Sequence, residues 1–283
     1  MAKKRLQSPS SINTYKQCPR KYYYNYILKL PTKLTIHLVR GKITHSVLEN
    51  FFDIDITNIT LDNYKEGLPK RIQQLFLKEW TLNQAEIRKF TITIDQERFY
   101  FSETLLMLMN WVNNFIKKVE SFQNLSFPDI FKKLTPLREK QYISYDLYVH
   151  GFIDAIERHE NEVHIIDYKT NTYLEISDEQ RLQLAIYALL YRETHGRIPD
   201  KVGIFFLRSK LKHIAVSQEL LNEAEREIKL IHEKTQTVNI DDYPLKPGPL
   251  CKFCDFYSIC FEQKTIKDYG SVQTIEPMQK LQE

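Results

Sequence analysis

Residues 151–170 read GFIDAIERHENEVHIIDYKT, and the way this stretch folds back on itself decides the architecture. Two runs rich in apolar and β-branched residues flank the polar HENE, so the segment reads as two antiparallel strands joined by a turn. Side chains alternate along a strand, which puts Asp167 and Lys169 on one side and Tyr168 on the other. Pairing through the turn carries Asp154 toward Asp167, so two carboxylates and an ammonium meet at one edge. Crowded carboxylates repel, and a divalent cation relieves that repulsion; oxygen ligands with retained waters suit Mg²⁺ or Mn²⁺. A neighbouring lysine would orient or deprotonate a water on the ion and offset charge developing on a phosphate. This is the outline of a site for phosphodiester hydrolysis. The bare pattern acid, any residue, lysine is weak, because it recurs at Glu227 and Glu262. Taken alone it reads as a surface ion pair at a strand end.

Outward from this hairpin the texture stays consistent. EKQYISYDLYV precedes it as a further strand, completing an antiparallel meander. DEQRLQLAIYALLYRETHG follows as an amphipathic helix, then KVGIFFLR and HIAVS as strands and QELLNEAEREIKLIHEKT as a helix. Helix, meander, helix and strand predict an α/β fold: a mixed sheet flanked by helices. Upstream, HLVRGKITHSVLENFF predicts a helix with His45 and Glu49 on one face. Further helical patterns at about 62–88 and 98–123 make residues 53–130 a helical insert before a catalytic core at 134–235. Ser8-Pro9 reads as an N-cap and first turn, so a cysteine-bearing helix is expected from there to about Ile27, within an amino-terminal segment 8–30.

The chain has 283 residues, 42% of them hydrophobic, enough for a single domain with a substantial core. No run is long and apolar enough to span a bilayer, and MAKKR is not followed by an apolar signal region, so the expected location is the cytoplasm, away from membranes. The formal net charge of +4 hides an asymmetry, since ten of the 40 Lys and Arg fall in the first 48 residues, before any acid. From Glu49 onward 30 basic residues face 36 acidic ones. A local positive field suits a polyanion, although basic arms are also common as solvated tails. The tyrosines among the charges, Tyr15, Tyr22, Tyr23, Tyr24 and Tyr26, suggest stacking on unpaired bases and hence single-stranded nucleic acid, with about half of them expected to serve the core instead. VRGKIT lacks the first glycine of a phosphate-binding loop, so any helicase would be a separate chain.

Four cysteines complete the inventory: Cys18, then Cys251, Cys254 and Cys260 in the tight spacing C-x2-C-x5-C. Three close ligands leave one position for a distant residue, and Cys18 is the cysteine left to fill it. Four thiolates suit zinc or an iron-sulfur cluster equally by ligand type, but a lone first ligand far up the chain is unlike the paired knuckles of zinc sites. Free buried cysteines are the remaining reading.

GFIDAIERHENEVHIIDYKT followed by QLAIYALLY resembles the PD-(D/E)xK nuclease superfamily, in particular its RecB-like branch. RGKITHSVLE resembles that branch's upstream histidine motif. The likeness implies that His45, Asp154 and Asp167 hold the metal with the Tyr168 carbonyl, and that Lys169 is the catalytic lysine. It further implies that Gln183 and Tyr187 contact lysine, water or DNA, and that Glu139 is an acid at the start of the meander. Ile153 stands where the superfamily name has proline. One cysteine before the core and C-x2-C-x5-C after it is similar to the iron-sulfur nucleases of the superfamily, including the AddB-type nuclease domain and the CRISPR-associated single-domain nucleases. By that likeness Cys18, Cys251, Cys254 and Cys260 hold a structural [4Fe-4S] cluster that clasps the two ends of the chain, with zinc as the alternative. Arg20 and Lys21 beside it are candidates for the DNA backbone. The implied activity is metal-dependent cleavage of single-stranded DNA or DNA ends, as an exonuclease in repair, recombination or CRISPR-type processing, with a separate helicase or CRISPR-adaptation partner. The competing reading is a noncatalytic DNA-binding or scaffold subunit of a helicase-nuclease complex that keeps fold and cluster.

Overall fold

The computed structural model describes residues 5–172, 174–262 and 265–266. Lys3 and Lys4 of the basic run lie outside them. In chain order the elements are α1 (Pro9–Gln17), α2 (Pro19–Tyr22), α3 (Ile36–Asn50), α4 (Tyr64–Leu82), α5 (Gln84–Ile87), α6 (Ile94–Glu120) and α7 (Phe127–Leu134). There follow β1 (Leu137–Ser144), β2 (Val149–His159), β3 (Glu162–Lys169), α8 (Asp178–His195), β4 (Lys201–Phe206), β5 (Leu211–Ala215), α9 (Gln218–Lys234) and α10 (Tyr257–Phe261). Contacts divide the chain into two compact units, residues 34–226 and residues 1–33 with 227–283. Both ends of the chain therefore fall in one unit. Among the described residues no helix is long and apolar enough to cross a membrane.

The larger unit is built on a five-stranded sheet in the order β1-β2-β3-β4-β5. Neighbours run antiparallel except β3 and β4, which pair in parallel, Asp167 opposite Ile204 and Lys169 opposite Phe206. A parallel pair needs a long crossover, and α8 supplies it. Its start is fixed by a capping box between Ser177 and Gln180, and its end by Gly196 at φ 68°, the left-handed cap that favours glycine. The mixed α/β sheet expected from the sequence is thus present.

On one side Ala155, Ile166, Tyr168 and Phe205 join a core drawn from α3, α4, α6 and α7, in which Phe51 lies 4.9 Å from Trp111 and 5.3 Å from Phe115. The ring pairs meet edge to face, the geometry aromatic quadrupoles favour. At the far end of the same sheet face His164 lies between His159, tilted at 4.5 Å, and His213, edge-on at 5.2 Å between ring centres. Gly203 beneath makes room, since a Cβ there would lie 2.7 Å from the His213 ring and 2.5 Å from the Lys212 carbonyl. Glu157 anchors this end, 2.5 Å from the Lys118 ammonium and 3.0 Å from His159. Burial alone would push its carboxyl up, but His159 and Lys118 outweigh it and hold Glu157 down at about 2.

Four expectations are corrected. The first strand does not run on to Val149: β1 stops at Ser144, and a turn from Tyr145 to Tyr148, with Tyr148 at φ 56°, leads into β2. The strand placed at HIAVS begins two residues earlier and stops at Ala215. The helix expected from Ser8 to Ile27 is broken at Cys18, which is extended at φ −160° because Pro19 disfavours a helical residue before it. The chain resumes as α2 and a π-helical turn over Tyr23–Ile27. Finally, Tyr22, Tyr23 and Tyr24 are buried with Tyr243 and Phe256 in the smaller unit's own core, so they are not available to stack on bases. Tyr22 lies flat over Tyr243 at 6.0 Å, and its hydroxyl meets the buried Gln7 amide at 2.8 Å.

Candidate active site

α3 carries His45 because Thr35 caps its start and Ile36, Val39, Ile43, Val47 and Leu48 bury one stripe. His45 stands beside that stripe, half-buried, with Nδ1 3.4 Å from Asp154 Oδ1 and 3.7 Å from Glu139 Oε1. These three residues each offer a ligand atom within 4.8 Å of the others, the one such group among the described residues. Burial opposes charge on the imidazole, but Asp154 and Glu139, with Asp167 behind them, push it up to about 10. These carboxylates therefore favour the protonated form of His45.

The carboxylates reach this point through local breaks in the sheet. The β2–β3 pairing ends at Ala155 and Ile166, and the next free donor, the Tyr168 N–H, goes to Asp154 Oδ2 at 2.7 Å. One oxygen of Asp154 thus replaces a ladder carbonyl while the other faces His45. Glu139 falls between the paired residues Arg138 and Lys140, and its φ of 44° turns the strand there. A left-handed glutamate costs on the order of 1 kcal/mol, and such strain gathers at functional sites. Arg138 beside it grips both oxygens of Asp53 at 3.0 Å and bonds the Glu49 carbonyl, tying the start of β1 to the end of α3.

Asp167 lies outside the trio of closest ligand atoms, and Lys169 holds it: Nζ sits 2.8 Å from Oδ2. The two charges form a buried ion pair beside the trio. Burial pushes Asp167 up to about 6, Lys169 and His45 pull against it, and Asp154 adds to it. Burial works against the Lys169 charge, but Asp167 and Asp154 raise its pKa above the ordinary lysine value. On α8, Gln183 donates to the Tyr187 hydroxyl at 2.8 Å. Burial, then the charges of Asp167 and Asp154, raise the pKa of that phenol, which places it within their field.

His45, Glu139, Asp154, Asp167, Lys169 and Tyr187 are brought into one electrostatic neighbourhood, with Gln183 joined to it through Tyr187. The backbone of Tyr168 lies between Asp167 and Lys169. What the sequence reading missed is the brace behind it. Arg40, 3% exposed, donates to Glu103 at 2.5 Å and to Thr104 at 2.9 Å; Arg208 bonds the other Glu103 oxygen and donates to the Thr170 carbonyl at 3.0 Å. One carboxylate on α6 thus links the helix of His45 to the residue after Lys169. The signal was a charge on the buried stripe of α3, at the position one turn before Thr44.

In the smaller unit all four cysteines line one cavity of about 280 Å³ with Lys21, Tyr24, Phe253 and Phe256. Cys251 Sγ accepts from the Gly248 N–H at 3.3 Å. Burial, then Cys254 and Cys18, push Cys260 up to about 11, so these thiols share one field. The four sulfurs do not form a compact single-ion site, unlike a zinc centre with Zn–S near ~2.3 Å. Cys251 through Phe253 form a short 3-10 turn behind Pro249. Arg20 donates to the Tyr243 carbonyl at 2.7 Å, so this side chain has a structural duty, while Lys21 reaches Gln17 at 2.9 Å.

A family model described as the PD-(D/E)XK nuclease superfamily matches residues 7–261, which include every residue of both sites. The chain belongs to the PD-(D/E)XK nuclease superfamily. Nucleases of this superfamily use divalent metals, and the acidic trio is a candidate place for one. Among curated proteins the chain is similar to the Gene 69 protein of Mycobacterium phage L5, at 23% identity over 90% of this chain and 96% of that one. It is also similar to the CRISPR-associated exonuclease Cas4 of Francisella tularensis subsp. novicida, at 28% identity over 57% of this chain and 85% of that one. A third relative is an ATP-dependent helicase/deoxyribonuclease subunit of Carboxydothermus hydrogenoformans, 24% identical over 92% of this chain but only 25% of that much longer protein.

Proposed function

We propose that this PD-(D/E)XK chain is a Mg²⁺- or Mn²⁺-dependent deoxyribonuclease that acts as an exonuclease on single-stranded DNA or DNA ends. The observation that carries the reading is the convergence of His45, Glu139 and Asp154 within 4.8 Å, beside the Asp167–Lys169 pair. The donor set is one imidazole and hard carboxylate oxygens, which suits Mg²⁺ or Mn²⁺. His45, Asp154 and Asp167 would hold the ion, with Glu139 and the Tyr168 carbonyl as further ligands. Such an ion supplies Lewis acidity toward the phosphate and lowers the pKa of the attacking water. Lys169, with its pKa raised, stays an ammonium at neutral pH; it orients that water and offsets charge growing on the phosphate, and is too strongly protonated to serve as the base. Gln183 and Tyr187 hold the back of the site through their mutual hydrogen bond.

We further propose that the cavity lined by Cys18, Cys251, Cys254 and Cys260 holds a structural [4Fe-4S] cluster. Its volume of about 280 Å³ suits a group of several atoms, and a cluster spaces its four thiolates on four separate irons, where zinc would draw them to one point. Names of the curated relatives, an exonuclease and a helicase/deoxyribonuclease subunit, support DNA as substrate and a helicase as a separate partner. CRISPR adaptation and recombination repair are the settings in which such chains would act. The test is cleavage of end-labelled single-stranded, duplex and circular DNA with Mn²⁺, with Asp167→Ala as control. Loss of circular-DNA cleavage with retention of linear cleavage supports an exonuclease; equal cleavage by Asp167→Ala refutes the site.

A further inference from the structure

The β1–β2 ribbon has two unlike faces. Gly151 and Ile153 turn inward: Ile153 is fully buried, and a Cβ on Gly151 would lie 2.8 Å from the Tyr187 ring. His150 and Phe152 alternate with them along β2, so strand geometry puts these two on the opposite side, about 6.7 Å apart. In the β1 register Gln141 lies across from Phe152 and Ile143 across from His150. Phe152 is 50% exposed, Gln141 is exposed, and the His150 ring meets Phe152 edge-on at 6.3 Å. Two residues after Phe152 along the same strand comes Asp154, whose Oδ1 faces His45.

A lone exposed aromatic on a protein surface needs no explanation. Phe152 differs in its place, one strand step from a carboxylate of the candidate site, on a rigid hairpin and braced by a second ring. The pyrimidine or purine next to a phosphate held at Asp154 would have to pass over this ring. In a duplex, both faces of each internal base are covered by its neighbours; only an unpaired base, or one at an end, offers a free face for stacking.

We propose that Phe152 is a specificity-determining residue for unpaired DNA, its ring stacking on the nucleobase adjoining the phosphate held at the carboxylates, with Gln141 beside it to hydrogen-bond the base edge. The inference rests on the nuclease reading above, and its test separates the two. Phe152 is exposed, so Phe152→Ala leaves the core intact, and Phe152→Tyr keeps the stacking face. On a single-stranded oligonucleotide with Mn²⁺, Phe152→Ala lowers kcat/KM about tenfold through KM, while Phe152→Tyr stays within about twofold of the unmodified protein. Binding of covalently closed circular duplex DNA, which has no free base face, changes by less than about twofold. An abasic nucleotide beside the scissile phosphate reproduces the loss in the unmodified protein and adds nothing in Phe152→Ala, because both remove the same stack. An additive abasic effect, or equal losses on single-stranded and duplex DNA, overturns the proposal. Binding of a fluorescent single-stranded oligonucleotide with Ca²⁺ in place of Mn²⁺, read by anisotropy, is independent of cleavage. There Phe152→Ala weakens binding about tenfold even if the nuclease reading fails, and unchanged binding overturns the proposal.

Discussion

The carboxylate site and the cysteine cavity, each proposed to hold a positive centre, are built in opposite ways. At the first, His45, Glu139 and Asp154 are drawn within 4.8 Å by a broken ladder and a left-handed glutamate, so charge repulsion is stored in the fold. At the second, four thiols line a roomy cavity without meeting at a point. The difference teaches what each is shaped for. Hard oxygens converging on one position suit a single small ion, whereas separated sulfurs around a volume suit a polynuclear group.

Lys169→Met tests the convergent site most severely. Cleavage is expected to fall by about a thousandfold or more, while Mn²⁺ affinity measured by calorimetry stays within about threefold, since the lysine acts on charge at the phosphate. Weakened Mn²⁺ binding in this variant would move Lys169 from chemistry to metal retention. Cys18→Ala tests the other region: protein prepared without oxygen should lose most of the about four iron atoms of the unmodified chain, and its thermal midpoint should fall by about 10 °C. A colourless unmodified protein with one zinc per chain would erase the contrast between the regions. His45→Gln is next in size, with Mn²⁺ affinity expected to drop about tenfold or more.

The Glu157 end of the sheet gives a smaller, metal-independent control. Its folded pKa of about 2 lies below the ordinary 4.5, so the stability it adds is present above pH 4.5 and is lost as pH falls through 2. Glu157→Gln should therefore cost about 3 kcal/mol at pH 7 by chemical denaturation and almost nothing near pH 2. A difference that is constant with pH would assign Glu157 to packing alone.

The strands, the long helices and the mixed character of the sheet were legible because alternation and helical period report burial directly. HIIDYK shows a buried strand with its two charged residues on one side, and that is where Lys169 meets Asp167. Gln183 and Tyr187 were legible as one turn of helix, and they bond each other. What could not be read depends on contacts distant in sequence. Nothing local in LREKQY marks Glu139 as left-handed, and nothing in SETLLM marks Glu103 as the carboxylate between two arginines. α7 escaped because eight residues are too few to display a period. Which tyrosines of KYYYNYI serve the core could not be read, because an amphipathic ring suits a core as readily as a surface, and Gln7 and the Val238 carbonyl supply the hydroxyl partners that decide it.

Gly151 has a consequence for altering the enzyme. Its missing side chain lets the Tyr187 ring rest on the back of the ribbon whose front carries Phe152, so one thickness of backbone separates a phenol in the carboxylates' field from a ring facing solvent. A methyl group at position 151 would press on Tyr187 and leave every ligand atom in place. It is a dial on the site turned from behind.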